Sequence, residues 1–385
     1  VNDVATLARN HVDLLPQGGL EAKLELGRPL RVKLGIDVTS PDIHVGRAIP
    51  LQRMRAFQDA GHTGVLIVGD YTTRIGDPSG RSAERPILSD EEIDRNAKTY
   101  LEQALQILDP SRTEVRYNGE WLATLSFADV VRLTRTLTVA QLLERDDFAK
   151  RIAGGHPVSV SELLYPLMQA YDSVAVEADI ELGGTDQLYN LLAGRTVMAA
   201  YGLEPQVVLT TPLLLSWDGA KMSSSVGNNI PLTAPPEEQF GRTMRLPDEQ
   251  LPEWYRLVVE GPVPAGEPMD AKLALARFVV RRSHGEEAAT AAEAHFTRVV
   301  REGGAPQDVP EGVLPDGDPV HLPALLASLF NLSTSDARRM IGQGGVKVDG
   351  ITVSALDQPR TELEGALLQA GKRRFARLVG RDPAA

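Results

Sequence analysis

The 385 residues include no cysteine. That excludes disulfides and thiolate zinc sites, and it fits a reducing compartment. No apolar run approaches the ~18 residues needed to cross a bilayer. The start, Val1-Asn2-Asp3-Val4, has no basic stretch leading into an apolar one, so no secretory signal is expected and a cytoplasmic location is. There is no long internal repeat and no low-complexity tract. Positive charge is also short: 40 Lys+Arg stand against 52 Asp+Glu, a formal net charge of −12. Such a chain is not built to coat nucleic acid indiscriminately.

The charge is uneven, however. Residues 319–385 hold 9 Lys+Arg and 6 Asp+Glu, a net +3, which leaves −15 on the remainder. An acidic body with a mildly basic tail suits selective docking on RNA, although an incidental imbalance gives the same figures. The length allows two or three domains and a sizeable core. Hydrophobic content of 42% and charged content of 24% are ordinary globular values, so composition names no activity.

Periodicity carries more. A helix is expected over residues 3–15, ahead of Gly18-Gly19. Arg31 to Asp37 reads as a buried strand, with Val32, Leu34 and Ile36 alternating with polar or small residues. Thr39-Ser40-Pro41-Asp42 is cap chemistry before a helix that ends near Gly61, with Pro50 expected to kink or shorten it. Gly64 to Gly69 reads as a second buried strand. Strand, helix, strand is a βαβ unit, so the fold class is α/β with a parallel sheet. A mostly helical stretch runs from Ser89, an N-cap, to about Tyr171. Val207-Val208-Leu209, continued by Pro212-Leu213-Leu214-Leu215, suggests another strand. Two helices broken at His284-Gly285 fill 268–301, and 303–319 reads as a linker. Residues 322–330 and 335–343 look helical, and Val346 to Val353 is a hairpin on an Asp-Gly turn.

Three segments carry chemistry. His44-Val45-Gly46-Arg47 lies where the first strand hands over to a helix, beyond a strand's carboxyl end, where open α/β sheets bind ligands. Gly46 leaves room for an adenine or ribose ring, and His44 can donate to a phosphate oxygen as charge builds there. Lys221-Met222-Ser223-Ser224-Ser225 follows 177 residues after His44, in a polar segment able to fold over a triphosphate. Gly183-Gly184-Thr185-Asp186-Gln187 lies between them. Tyr165, Gln169 and Asp172, at i, i+4 and i+7, share one helical face, which suits a pocket for an amino acid with a polar side chain or else a solvent face. Gly76 to Ser82 nearly matches a Walker A loop, but its glycines are one residue too close and Arg81 replaces the lysine. No dedicated carboxylate cage for a metal is visible.

In this order and spacing, the segments resemble class I aminoacyl-tRNA synthetases, whose signatures read His-Ile-Gly-His and Lys-Met-Ser-Lys-Ser. The chain is similar to the bacterial tyrosyl branch over nearly its whole length, most strongly in Leu34–Arg85 and Glu162–Ser225. The resemblance implies a Rossmann-type catalytic domain with a helical insertion over 1–230. It implies a helical anticodon-binding domain over 231–310 and a small α+β RNA-binding domain, first recognised in a ribosomal protein, over 319–385. It also implies a homodimer that uses ATP accompanied by Mg²⁺, tyrosine and tRNA(Tyr).

By the same resemblance Asp172 accepts the phenol hydroxyl of tyrosine. Tyr165, Gln169 and Asp77 hold its ammonium group, and Gln187 lies near its carboxylate. Asp37, Thr39, His44, Gly46, Gly184 and Asp186 line the ATP side, Asp186 near the ribose. Lys221 comes from the loop, and Arg81 and Arg85 lie on pyrophosphate. Arg338, Arg339, Lys347, Lys372, Arg373 and Arg374 are the candidate RNA contacts. Three residues depart from the family's pattern. Arg47 stands for the second signature histidine, Ser224 for the second loop lysine, and Lys33 for a tyrosine that shares the phenol hydroxyl. The alternatives are a tryptophanyl-tRNA synthetase, or a paralogue that binds RNA or nucleotide without charging tRNA.

Overall fold

A computed structural model describes residues 3–78, 88–301, 309–371 and 374–380. The chain forms two compact units, Val1–Ala234 with Arg242–Leu275, and Pro235–Gly241 with Ala276–Ala385.

The first unit is built on a six-stranded sheet: β1 (Leu14–Leu15), β2 (Arg31–Ile36), β3 (Thr63–Val68), β4 (Thr113–Tyr117), β5 (Ile180–Gly184) and β6 (Val207–Thr211), in the order β1-β6-β5-β2-β3-β4. All neighbours are parallel except the antiparallel β1–β6 pair. Strands β2 and β3 are buried on both faces, as parallel strands covered by helices must be. On one face Leu34, Leu66 and Val68 pack with Met54 and Phe57 of α1 (Val45–Asp59) and Ile93 of α2 (Asp90–Ile107). On the other, Val65 and Ile67 pack with Trp121, and with Tyr165 and Met168 of α3 (Val160–Ala175). Phe57 is fully buried, so truncating it to alanine is expected to cost about 3–5 kcal/mol.

The expected βαβ unit is β2, α1, β3. Its helix starts later than the cap chemistry at 39–42 suggested, because His44 itself is the N-cap. Pro50 sits inside the helix without ending it. Ser89 caps α2 through a reciprocal box with Glu92, whose carboxylate accepts from the Ser89 amide at 3.0 Å.

Several expectations need correction. Residues 3–15 are not one helix but a single turn, Val4–Leu7, and then β1, which needs β6 to form. The stretch after Ser89 is interrupted by β4, whose partner β3 lies about 50 residues away in sequence. After β6, residues 212–215 do not continue the strand; Leu215 makes only an isolated bridge to Lys221.

In the second unit a five-stranded sheet has the order β10-β9-β12-β13-β7. Its strands are β7 (Glu311–Val313), β9 (Val346–Val348), β10 (Ile351–Thr352), β12 (Leu367–Ala370) and β13 (Arg374–Val379); β8 (Val320–His321) pairs separately with β11 (Asp357–Gln358). Helices Leu322–Phe330 and Thr334–Gly342 share a core with Val346, Leu368 and Leu378. The Asp-Gly hairpin is present, with φ of 46° at Asp349 and 81° at Gly350, as a type I′ turn requires. Part of the expected linker is strand β7, which pairs in parallel with β13.

Candidate active site

Strand β2 has β3 on one side and β5 on the other, so the order in which successive parallel strands are added reverses there. The carboxyl ends of β2 and β5 define the crevice where an open α/β sheet receives a ligand. Asp37 and Thr39 follow β2, Gly184 ends β5, and Asp186 and Gln187 lie in the 3₁₀ turn that leads from it to α4 (Leu188–Ala200).

His44 is 5% exposed. Its Nδ1 accepts from the Arg47 amide at 3.3 Å, so the neutral ring carries its proton on Nε2. Burial, then the positive charges of Arg47 and Lys221, push its pKa down to about 3. The ring is therefore an N–H donor at neutral pH and not a cation. A Cβ at Gly46 would come within 3.2 Å of His44 Nδ1, so the missing side chain makes room for this ring. A Cβ at Gly184 would lie 2.7 Å from Asp186 Oδ1. Arg47 reaches Ser40 Oγ at 3.1 Å.

The loop after β6 is tied down by Asn228. Its amide donates to both Asp218 oxygens, at 3.1 and 2.9 Å, and to the Lys221 carbonyl at 3.2 Å, while its oxygen accepts from the Ser223 amide at 2.8 Å. Met222 is buried beneath, and Ser224 Oγ accepts from Asn229 at 3.3 Å. Lys221 is half exposed and its ammonium lies 2.5 Å from Asp186 Oδ2. The Lys221 loop therefore meets the turn after β5, and Lys221 is near enough for its charge to act on the His44 ring, although 177 residues separate His44 from Lys221.

On the other side Tyr165, Gln169 and Asp172 do share a face of α3. The Tyr165 hydroxyl donates to Asp37 Oδ2 at 3.0 Å. Thr72 Oγ1 donates to Asp37 Oδ1 at 2.8 Å. Asp172 is 3% exposed. Trp121 Nε1 donates to its Oδ1 at 2.8 Å and Asn118 Nδ2 to its Oδ2 at 3.3 Å. Burial pushes the Asp172 pKa up to about 7, against the pull of the Lys33 ammonium and these two donors. Each carboxylate oxygen still has a lone pair to offer after these bonds. Gln187 Nε2 donates to Asp77 Oδ2 at 2.7 Å.

Lys33, expected among the substrate contacts, is elsewhere. It is fully buried, and its three N–H groups go to the Gln169 carbonyl at 2.9 Å, Ser173 Oγ at 2.8 Å and Glu181 Oε1 at 2.8 Å. No donor is left over for a phenol, because burial obliges the ammonium to satisfy all three internally. Arg81, Arg85, Lys372 and Arg373 lie outside the described residues. Arg338 and Arg339 are exposed on helix Thr334–Gly342, and Arg339 pairs with Asp336 at 2.5 Å. Lys347 is half-buried on β9 and Arg374 exposed on β13. Among the described residues no group of three His, Asp or Glu side chains could hold a metal ion, and no helix is long and apolar enough to cross a membrane.

Trp121 and Asn118 were missed from sequence. They follow β4, and recognising that strand would have made the residues beyond its carboxyl end candidates by the rule that singled out His44.

A Rossmann-type sheet with His44 and the Lys221 loop gathered at the carboxyl ends of its central strands defines a nucleotide-dependent class I synthetase. The family described as tRNA synthetases class I (W and Y) matches residues 25–301, and the chain belongs to it. Within that family the chain sits among the bacterial tyrosyl-tRNA synthetases. The tyrosine–tRNA ligase of Thermotoga maritima is 47% identical over 392 residues, covering 98% of this chain and 97% of the relative. That of Moorella thermoacetica is 47% identical over 390 residues, covering 97% and 94%. Among solved structures, the tyrosyl-tRNA synthetase of Archaeoglobus fulgidus, complexed with L-tyrosine, has a TM-score of 0.63 at 23% identity. It covers 75% of this chain and 98% of that one, a likeness of fold.

Proposed function

We propose that the chain is a cytoplasmic tyrosine–tRNA ligase. Tyrosine and ATP, the latter with its Mg²⁺ as part of the substrate, give tyrosyl-adenylate and pyrophosphate. The tyrosyl group then passes to the 3′ end of tRNA(Tyr). The observation that carries this reading is the buried Asp172 carboxylate at the end of the Tyr165 and Gln169 face. A phenol hydroxyl donates to one of its remaining lone pairs, whereas the ring of phenylalanine brings no donor to them.

In this reading Tyr165, Gln169 and Asp77 hold the ammonium group, and Gln187 lies beside the carboxylate that attacks the α-phosphorus. Asp186 meets the ribose, and Asp37 and Thr39 flank the nucleotide. Lys221, now paired with Asp186, leaves that partner when ATP arrives and neutralises the departing pyrophosphate, with His44 donating through Nε2. Arg47 retains positive charge beside the phosphates, and Arg81 and Arg85 lie with it on pyrophosphate.

Residues 231–310 act as the anticodon-binding domain. The module 319–385 holds tRNA through Arg338, Arg339, Lys347, Lys372, Arg373 and Arg374. A homodimer is part of the proposal, supported by Phe127, 84% exposed, and Val160, 74% exposed. These lie on packed helices of the first unit, Phe127–Thr134 and α3, and leave apolar surface in water.

The test is pyrophosphate exchange with each of the twenty amino acids, followed by tRNA charging. Exchange with tyrosine alone and charging of tRNA(Tyr) are expected. Exchange with tryptophan in its place, or nucleotide binding with no exchange at all, would establish one of the alternatives.

A further inference from the structure

One buried cation takes no part in the chemistry above. Arg145 is 5% exposed and stands at the head of helix Asp146–Ala153. Its Nε and Nη2 donate to the two oxygens of Asp147, at 3.1 and 2.8 Å. The rings of Phe148 and Tyr189 lie 4.9 and 5.3 Å from its guanidinium carbon. Its Nη1 donates to Asn190 Oδ1 at 2.6 Å. From there two further bonds lead inward. Asn190 Nδ2 donates to Gln187 Oε1 at 2.9 Å, and Gln187 Nε2 donates to Asp77 Oδ2 at 2.7 Å.

The ends of this chain of bonds have fixed polarity. A guanidinium only donates and a carboxylate only accepts. The two amides between them can each turn either way, but a single arrangement satisfies all three bonds. Asn190 has to give its oxygen to Arg145, which leaves its NH₂ for Gln187. Gln187 has to accept through its oxygen, which leaves its NH₂ for Asp77. Reversing either amide sets donor against donor or acceptor against acceptor. Asn190 is 1% exposed, so water cannot repair such a mismatch.

We propose that Arg145 is a positioning residue for the amino-acid substrate: through Asn190 it dictates which way the Gln187 amide points, and thereby how the Asp77 carboxylate is held. The proposal rests on the reading of Gln187 and Asp77 as tyrosine contacts. It supplies what that reading lacks, namely the reason an amide with two faces presents one of them. Nothing in the sequence marks the relay, because Arg145, Asn190 and Asp77 belong to three separate segments.

The discriminating variant is Asn190→Asp. The new carboxylate still accepts from Arg145, now as a charge pair, so local packing is kept. It cannot donate to Gln187, which then turns its NH₂ outward and its oxygen towards Asp77. The full-length enzyme is assayed by pyrophosphate exchange, with KM measured separately for tyrosine and ATP, and by thermal melting. The expected result is a fall of about 10- to 100-fold in kcat/KM for tyrosine, carried by its KM. KM for ATP and the melting temperature should hold. Arg145→Met should likewise raise KM for tyrosine and not for ATP, with a lower melting temperature because it also strands Asp147, and Arg145→Lys, which keeps a donor, should recover part of both.

Wild-type tyrosine KM in Asn190→Asp overturns the relay. So does a melting temperature that falls together with both KM values, since packing alone would then explain the effect. Gln187→Ala separates the two layers. If it raises tyrosine KM while Asn190→Asp does not, the relay fails and the assignment of Gln187 stands. If neither variant moves tyrosine KM, both fail.

Discussion

Replacing Asp172 by asparagine keeps the shape of the side chain and removes one buried acceptor. In the wild type the carboxylate accepts from Trp121 and Asn118 and still has capacity for a phenol. The asparagine has one oxygen, and its NH₂ faces donors. Loss of one buried acceptor costs about 1–3 kcal/mol, so the tyrosine-to-phenylalanine ratio of kcat/KM should fall about 5- to 150-fold. A pH signature should accompany it. The Asp172 pKa is pushed from 3.8 up to about 7, chiefly by burial. The ionised form is the better acceptor for a phenol, so kcat/KM for tyrosine should rise with pH around 7.

His44 does not confuse the profile, because its own pKa lies at about 3. Stability should run the other way. Between 3.8 and about 7 the folded state binds more protons at Asp172 than the unfolded chain does. The contribution of this group is complete below that window and is lost as pH rises through it. Asp172→Asn should abolish both slopes. The assay is pyrophosphate exchange with tyrosine and with phenylalanine across the window, together with thermal melts. A well-folded variant with unchanged tyrosine selectivity, or one that keeps the wild-type pH step, would refute the reasoning.

Lys221→Ala should lower the single-turnover activation rate on the order of 10²–10³-fold and leave the Kd for tyrosine unchanged, since the charge matters as pyrophosphate separates; a weakened Kd with an intact rate would show the loop is misassigned. Ser224→Lys should leave exchange activity the same or higher, because among the described residues the hydroxyl's partner is Asn229, at a long 3.3 Å; a collapse would mean that the loop has a different working geometry. Deleting residues 309–385 should preserve tyrosine-dependent exchange, because no proposed active-site residue is lost. It should also cut tRNA binding and charging and flatten the salt dependence of binding. The cut belongs before β7, which pairs with β13. Full charging by the truncated enzyme would leave the tail without its assigned role.

Local physics determines much of this protein from its sequence. Alternation in Val32, Leu34 and Ile36 marked β2, the Asp349-Gly350 turn marked its hairpin, and Ser89 with Glu92 marked the start of α2, because each signal lies within a few residues. The two signature segments were legible as chemistry, but the contact of Lys221 with Asp186 was not. That contact depends on β5 and β6 lying side by side. β1 and β4 escaped notice because edge strands are specified by their partners and carry little periodicity of their own. Lys33 escaped for a related reason. A lysine on a strand looks like a solvent-facing residue or a substrate contact until a glutamate from β5 and the end of α3 close over it. Trp121, Asn118, Arg145 and Asn190 belong to the same class. The sequence determines which groups can donate and accept. Only tertiary packing, by excluding water and fixing distances, decides which of them must pair.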